Sequence, residues 1–278
     1  MTIEEIIQKS LEEDLGDGDH SSLSTIPSNA IGKAQLVAKE NGIIAGIRIA
    51  EMVYKAVDSD TIFHNFINDG SEIKTGDIVF EVSGKSISIL SAERLALNFM
   101  QRMSGVATAT KKYVDLIKGT PTTLLDTRKT TPLMRQLEKE AVKLGGGDNH
   151  RMGLYDMIMI KDNHIDFAGG IENAIAACHH YLEKKEKDLK IEIEVRNFKE
   201  LQQVLDYGNV DRIMLDNFTP KELKEALLLI DKRYETEASG GITANSIRSY
   251  AETGVDFISV GALTHHIKSL DLSLKAIA

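Results

Sequence analysis

The chain is poor in several things, and each shortage excludes something. It has one cysteine, Cys178, in 278 residues. A single thiol forms no disulfide within the chain and no Cys-rich zinc site; a reducing cytoplasm is the expected setting. Tryptophan is absent, proline occurs four times and aromatic residues make up 5% of the chain, which says little about function. No stretch approaches the ~18 consecutive apolar residues of a spanning helix, so no membrane contact is expected. The first residues, MTIEEIIQKSLEEDLG, are acidic and amphipathic, unlike a secretory signal. Positive charge is the minority sign, with 33 Lys and Arg against 42 Asp and Glu and a net charge of −9. An acidic chain without a long basic run is a poor nucleic-acid binder. Any phosphate it holds must sit in a local basic pocket.

What is present is a globular composition, 42% hydrophobic and 27% charged, in a length that fits one large or two ordinary domains. Ile3, Ile6, Ile7, Leu11 and Leu15 recur at helical spacing, and Gly16 stops that helix. Asp17 to Ser22 reads as a capped polar turn, with a cation loop as the other reading. Strand-like runs at 33–39 and 62–67 and the turns Asp69-Gly70 and Gly76-Asp77 suggest a small α+β unit on a twisted sheet. A long helix is expected over 91–117, capped by Ser91 and interrupted near Gly105.

After Gly119 the texture changes to strands and helices in alternation. Strands are expected at 122–125, 156–160, 191–195, 212–215, 235–238 and 257–260, with helices at 133–144, 170–185, 198–207, 220–230 and 244–252. Such alternation means a parallel sheet with right-handed crossovers. Six short units in series favour a (β/α) barrel, with an open doubly wound sheet as the alternative.

The residues after each strand carry the argument. They are Asp126-Thr127-Arg128-Lys129, Lys161-Asp162-Asn163-His164, Glu194 with Arg196, Asp216-Asn217, Ser239-Gly240-Gly241 and Gly261-Ala262-Leu263. The strand C-termini of such a barrel line one mouth, where active sites sit. Arg128, Lys129, Arg151 and Lys161 are cations that suit carboxylate or phosphate. Glu194 and Asp216 suit ribose hydroxyls or Mg²⁺. The glycines at 240, 241 and 261 offer bare amides before helices, as a phosphate cradle would. Gly145-Gly146-Gly147 reads as a helix stop. His150 and His164 lack metal-ligand spacing and read as positioning residues.

These motifs, DTRKTTP, GGGDNHR, IKDNH, IEIEV, LDNF, ASGGI and VGALTH, occur in that order. Together they resemble the quinolinate phosphoribosyltransferase family. The likeness runs from about Leu95 to Leu270, with LEEDLGDGDH as weaker support. One departure is Leu133 after Thr-Thr-Pro, where the family often has glycine. A molybdenum-associated paralogue with another acceptor shares DTRKT but tends to lack the intact Asn149-His150-Arg151.

The resemblance implies an α/β fold, with an N-terminal α/β sandwich over residues 1–110 and an open (β/α) barrel over 111–265, residues 266–278 packing back on the first domain. It implies transfer of phosphoribosyl from phosphoribosyl pyrophosphate to quinolinate with decarboxylation. It also implies Mg²⁺ and a homodimer, with Arg94 contributed across the interface. Thr127, Arg128, Lys129, His150, Arg151 and Lys161 would meet the substrates' anionic groups. Glu194 and Asp216 would hold ribose and metal, and Ser239, Gly240, Gly241, Gly261, Ala262 and His265 would lie at phosphate. No dedicated nucleophile is expected, because the quaternised ring nitrogen is itself the electron sink. Lys129, Glu194 and Asp216 would do the catalytic work by position and charge.

Overall fold

The computed structural model describes residues 1–277. In chain order its elements begin with α1 (Ile3–Leu15), α2 (His20–Thr25), β1 (Ile31–Ala38), β2 (Gly42–Ile43), α3 (Ile47–Val57), β3 (Ile62–Asn65), β4 (Glu72–Ile73), β5 (Ile78–Lys85) and α4 (Ser86–Leu116). There follow β6 (Thr123–Leu125), α5 (Arg135–Leu144), β7 (Ile158–Ile160), α6 (Asp162–Ala168), α7 (Ile171–Lys185), β8 (Ile191–Val195) and α8 (Phe198–Tyr207). The last are β9 (Arg212–Asp216), α9 (Pro220–Ile230), β10 (Glu235–Ser239), α10 (Ile247–Ala251), β11 (Phe257–Ser259), α11 (Ala262–His265) and β12 (Leu272–Ile277).

Two compact units result. The first comprises Met1–Lys111, Thr130–Gly146 and the chain from Leu263 onward; the second comprises Lys112–Lys129 and Gly147–Ala262. This departs from a division at 110 and 265, because α5 belongs to the first unit although it follows the first barrel strand. Two contacts explain it. Glu138, fully buried on α5, pairs with Arg102 of α4 at 2.7 Å. At Gly145, which ends α5, a Cβ would run into the Ala107 carbonyl and Thr110 of α4, so the glycine permits a close helix approach.

In the first unit a four-stranded antiparallel sheet has the order β12-β1-β5-β3. The chain's last strand pairs with β1 from Lys33↔Ile277 to Ala38↔Leu272. Period-two burial along β1 places Ala34, Leu36 and Ala38 in the core. Tyr54 of α3 packs there with Phe80 and Phe63, whose ring centroids are 4.3 Å apart. Helix α1 buries Ile3, Ile6, Ile7 and Leu11, the stripe its spacing predicts. The Asp17–Ser22 segment is a cap: Asp19 accepts from Ser22 N at 3.1 Å and begins α2.

Helix α4 starts at Ser86, five residues before the expected start. Ser91 caps nothing; its hydroxyl donates to Asp19 at 3.2 Å. Gly105 does not interrupt the helix. A Cβ there would meet the Lys268 carbonyl, so the residue is small to let the C-terminal chain cross.

The second unit is a six-stranded, all-parallel sheet in the order β6-β11-β10-β9-β8-β7. β6 and β7 are its two edges, so the (β/α) barrel is open. Register fixes which side chains share a face, since paired residues in neighbouring strands project together. Glu192 lies opposite Arg212, which lies opposite Glu235; Glu194 lies opposite Met214, which lies opposite Glu237; Asp216 lies opposite Ser239. One face therefore carries Lys161, Glu192, Glu194, Arg212, Asp216, Glu235, Glu237 and Ser239. The other carries Ile191, Ile193, Val195, Ile213, Leu215 and Ala238, all buried. The alternating glutamates of IEIEV and ETEAS are the interior stack of the barrel. Helix α9 is set by Thr219 in a full capping box with Pro220 at the first position, as its sequence predicts.

Candidate active site

Most expected site residues belong to the second unit, at the C-terminal ends of its strands. Lys161, just after β7, places Nζ 2.7 Å from Glu194 Oε2 on β8. Its backbone N donates to His164 Nδ1 at 2.9 Å, so His164 fixes the backbone that presents the lysine. Asp216 ends β9, where Asn217 Nδ2 donates to its Oδ2 at 2.5 Å. Burial pushes the Asp216 carboxyl up, and the Glu194 charge adds to the shift. Two carboxylates at adjacent strand ends thus crowd each other, with Lys161 balancing one. Arg196 does not join them: it pairs with Glu200 at 2.6 Å and with Asp166 at 3.6 Å.

After β6, the Thr127 hydroxyl accepts from Lys129 N at 3.1 Å and tightens the turn that carries Arg128 and Lys129. Burial lowers the pKa of Arg151, and the neighbouring Arg128 guanidinium lowers it further. Two guanidiniums that repel in a half-buried place favour an anion between them. Among the described residues, the Arg151 side chain donates one hydrogen bond, from Nη1 to the Met157 carbonyl at 3.2 Å.

Ser239-Gly240-Gly241 differs from the expected phosphate cradle at a helix N-terminus. The next helix, α10, starts at Ile247 and is five residues long. Any anion here meets loop amides without a helix dipole behind them. Gly240 has φ +94°, and a Cβ would strike Asn217, so only glycine fits. Gly261 follows the sixth strand, and Ala262 opens the four-residue α11. Arg94, exposed on α4, and His265 belong to the first unit.

The sequence reading missed what lies one step deeper on the same face. Glu192 and Glu237 sit two residues upstream of Glu194 and Ser239 and are 0% exposed. His150, 7% exposed, points Nε2 at both, 2.9 Å from Glu192 Oε2 and 3.3 Å from Glu237 Oε2. Arg212 completes the cluster, with Nη1 3.2 Å from Glu237 Oε2 and its guanidinium 3.9 Å over the Phe257 ring. The period-two glutamates were the available signal. A groove of about 1280 Å³ opens at the opposite, N-terminal end of the strands, lined by Lys190, Asp211, Arg233 and Phe257 among others. No expected site residue lines it, and barrel chemistry belongs to the other end.

Fold and strand-end chemistry together define an α/β-barrel enzyme whose mouth gathers cations and carboxylates. The chain belongs to the quinolinate phosphoribosyl transferase family: the family model of the N-terminal domain matches residues 19–104 and that of the C-terminal domain residues 106–275. It is 46% identical over 285 residues to quinolinate phosphoribosyltransferase [decarboxylating] 1b of Nicotiana tabacum, covering 97% of this chain and 81% of that one. It is 41% identical to the probable nicotinate-nucleotide pyrophosphorylase [carboxylating] of Bacillus subtilis, covering 94% and 89%. Its fold is similar to that of the crystal structure of NadC from Streptococcus pyogenes, with TM-score 0.94, 37% identity and coverage of 99% and 97%.

Proposed function

We propose that the protein transfers the phosphoribosyl group of phosphoribosyl pyrophosphate to the ring nitrogen of quinolinate. The 2-carboxylate is lost, giving nicotinate mononucleotide, pyrophosphate and CO₂. Besides the family, the observation that supports this is the charge pattern at the strand ends: cations at Arg128, Lys129, Arg151 and Lys161, with carboxylates at Glu194 and Asp216, in a chain of net charge −9. Arg128, Lys129, Arg151 and Lys161 hold carboxylates and phosphates, and Thr127 holds the turn. Glu194 and Asp216 orient the ribose and stabilise the positive sugar as the leaving group departs. Backbone groups at Ser239, Gly240, Gly241, Gly261 and Ala262 take phosphate.

The donor set fits Mg²⁺. Two carboxylates at adjacent strand ends, one with its pKa raised by burial, suit a hard cation. Glu194 and Asp216 would hold it, and it would supply neutralisation of pyrophosphate charge. Decarboxylation asks of the protein that the ring be held while the C2–carboxylate bond breaks; the electron pair left at C2 then takes a proton from solvent. The half-buried Cys178 suits a cytoplasmic setting.

The acceptor decides the reading. Pyrophosphate release with quinolinate is expected; release only with a different acceptor would contradict it.

A homodimer with a shared site is part of the proposal. Leu154 and Tyr155, just before β7, and Phe167 of α6 are 71%, 71% and 91% exposed in the second unit, apolar side chains that a second copy would cover. Arg94→Ala and Lys161→Ala, each inactive alone, should regain roughly a quarter of wild-type activity when refolded together, because half the random pairs are mixed and each mixed pair has one intact site. A mixture as inactive as its parts would show that the sites are not shared.

A further inference from the structure

Every polar handle of His150 is used inside the protein. Its backbone N donates to the fully buried Asp126 carboxylate at 2.9 Å. Its Nδ1 accepts from Arg151 N at 2.7 Å. Its Nε2 faces Glu192 and Glu237. Nothing on the ring is left to reach toward a ligand, although the family resemblance counts His150 among the substrate contacts.

The three side chains also have the composition of a metal site. The ring's orientation argues against that reading. Nδ1 lies against the Arg151 N–H, so it points away from the carboxylates, and Nε2 turns toward them. Arg212 already occupies Glu237 Oε2. The ring therefore offers the pocket no Nδ1 lone pair, and His150 Nε2 and Arg212 stand where a cation would meet the carboxylates.

We infer that Glu192 and Glu237 are positioning residues that act through the His150 ring to hold the Arg151 backbone, and so to aim the Arg151 guanidinium at a substrate carboxylate. The chain of contacts is short. Glu192 is fully buried, and neither of its oxygens has an in-line hydrogen bond among the described residues. The close approach of His150 Nε2 is therefore what compensates this carboxylate, and the carboxylate in turn fixes the ring's rotation. The fixed ring places Nδ1 under Arg151 N, while Asp126 fixes the same turn from β6. The guanidinium then leaves a backbone held on both sides, with one N–H on the Met157 carbonyl. The Glu192 charge also acts on Arg151, raising its pKa against the larger lowering by burial and Arg128. Groups that hold a ligand must themselves be locked by the residues behind them, and loosening that support costs roughly 10- to 100-fold at comparable sites.

The inference rests on quinolinate being the acceptor, and its test keeps the two apart. Quinolinate and phosphoribosyl pyrophosphate affinities are measured by calorimetry, with steady-state kinetics, for the full-length wild type and for Glu192→Ala, Glu192→Gln and Glu237→Gln. Glu192→Ala is expected to weaken quinolinate roughly 10- to 100-fold, with phosphoribosyl pyrophosphate affinity within about 3-fold of wild type. Glu192→Gln keeps an amide oxygen and the same side-chain shape facing Nε2 and is expected to restore quinolinate affinity to within about 5-fold; this holds even where the alanine variant fails to fold. Equal losses for both substrates, or no rescue by glutamine, would make the cluster merely structural and overturn the inference. Unchanged quinolinate affinity in a folded Glu192→Ala would overturn it too. A wild type that binds no quinolinate would instead remove the acceptor reading beneath it.

Discussion

Arg151→Ala is expected to lower kcat/KM for quinolinate roughly 100- to 1000-fold, the ~2.7–4 kcal/mol that a single well-placed donor contributes in a transition state. The expectation follows from where the guanidinium stands. It is half-buried beside Arg128 and uses one N–H on Met157, leaving a planar fork for a carboxylate. Alanine removes that fork and also relieves the repulsion with Arg128, so the fold should survive and the melting temperature should change little. Lysine at this position restores charge without the fork and should recover only part of the loss. Wild-type turnover and quinolinate KM in the alanine variant would mean that Arg151 does not meet the substrate.

Arg102→Ala is expected to cost ~3–5 kcal/mol of stability, because it leaves a fully buried carboxylate without its partner. Arg102 donates to Glu138 Oε1 through Nε at 2.9 Å and Nη2 at 2.7 Å, to Thr131 Oγ1 at 3.2 Å, and to the Thr264 carbonyl. Glu138 Oε2 accepts from Thr131 N at 3.1 Å. The pair therefore ties the end of the loop that begins at Thr127 and the segment just before His265 to helix α4. A fall of roughly 10 °C in melting temperature should be seen by calorimetry. Combining Arg102→Met with Glu138→Leu should recover much of the stability, since apolar replacement of both partners is often neutral. It should leave activity low, because Thr131 loses both of its anchors. A single alanine variant melting within about 2 °C of wild type would contradict this account of how α5 is held.

Sequence and structure agree most closely where chemistry interrupts hydrophobicity. Polar residues at the strand ends, Lys161, Asp216 and Ser239, with Glu194 one residue inside β8, mark the mouth without any coordinates. Helices α8 and α9 were legible to the residue because Asn197 and Thr219 are strong caps and Gly208 is a strong stop. The start of α4 was not, since SISIL alternates as a strand would and β5 runs straight into the helix. The membership of α5 could not be read either. It depends on a long-range pair, Arg102 with Glu138, and on the packing at Gly145, neither of which has a local signature. The same holds for Glu192 and Glu237. Their alternation shows that they face the barrel interior, but only the strand register shows that both meet His150.

The protein joins a phosphoribosyl group to quinolinate and releases its 2-carboxylate. The reaction is tested by supplying the purified protein with Mg²⁺, phosphoribosyl pyrophosphate and quinolinate labelled in the 2-carboxylate, and counting all three products. Nicotinate mononucleotide, pyrophosphate and labelled CO₂ are expected in equal amounts, with none formed when either substrate is left out. Pyrophosphate without CO₂, or no turnover with quinolinate at all, would contradict it.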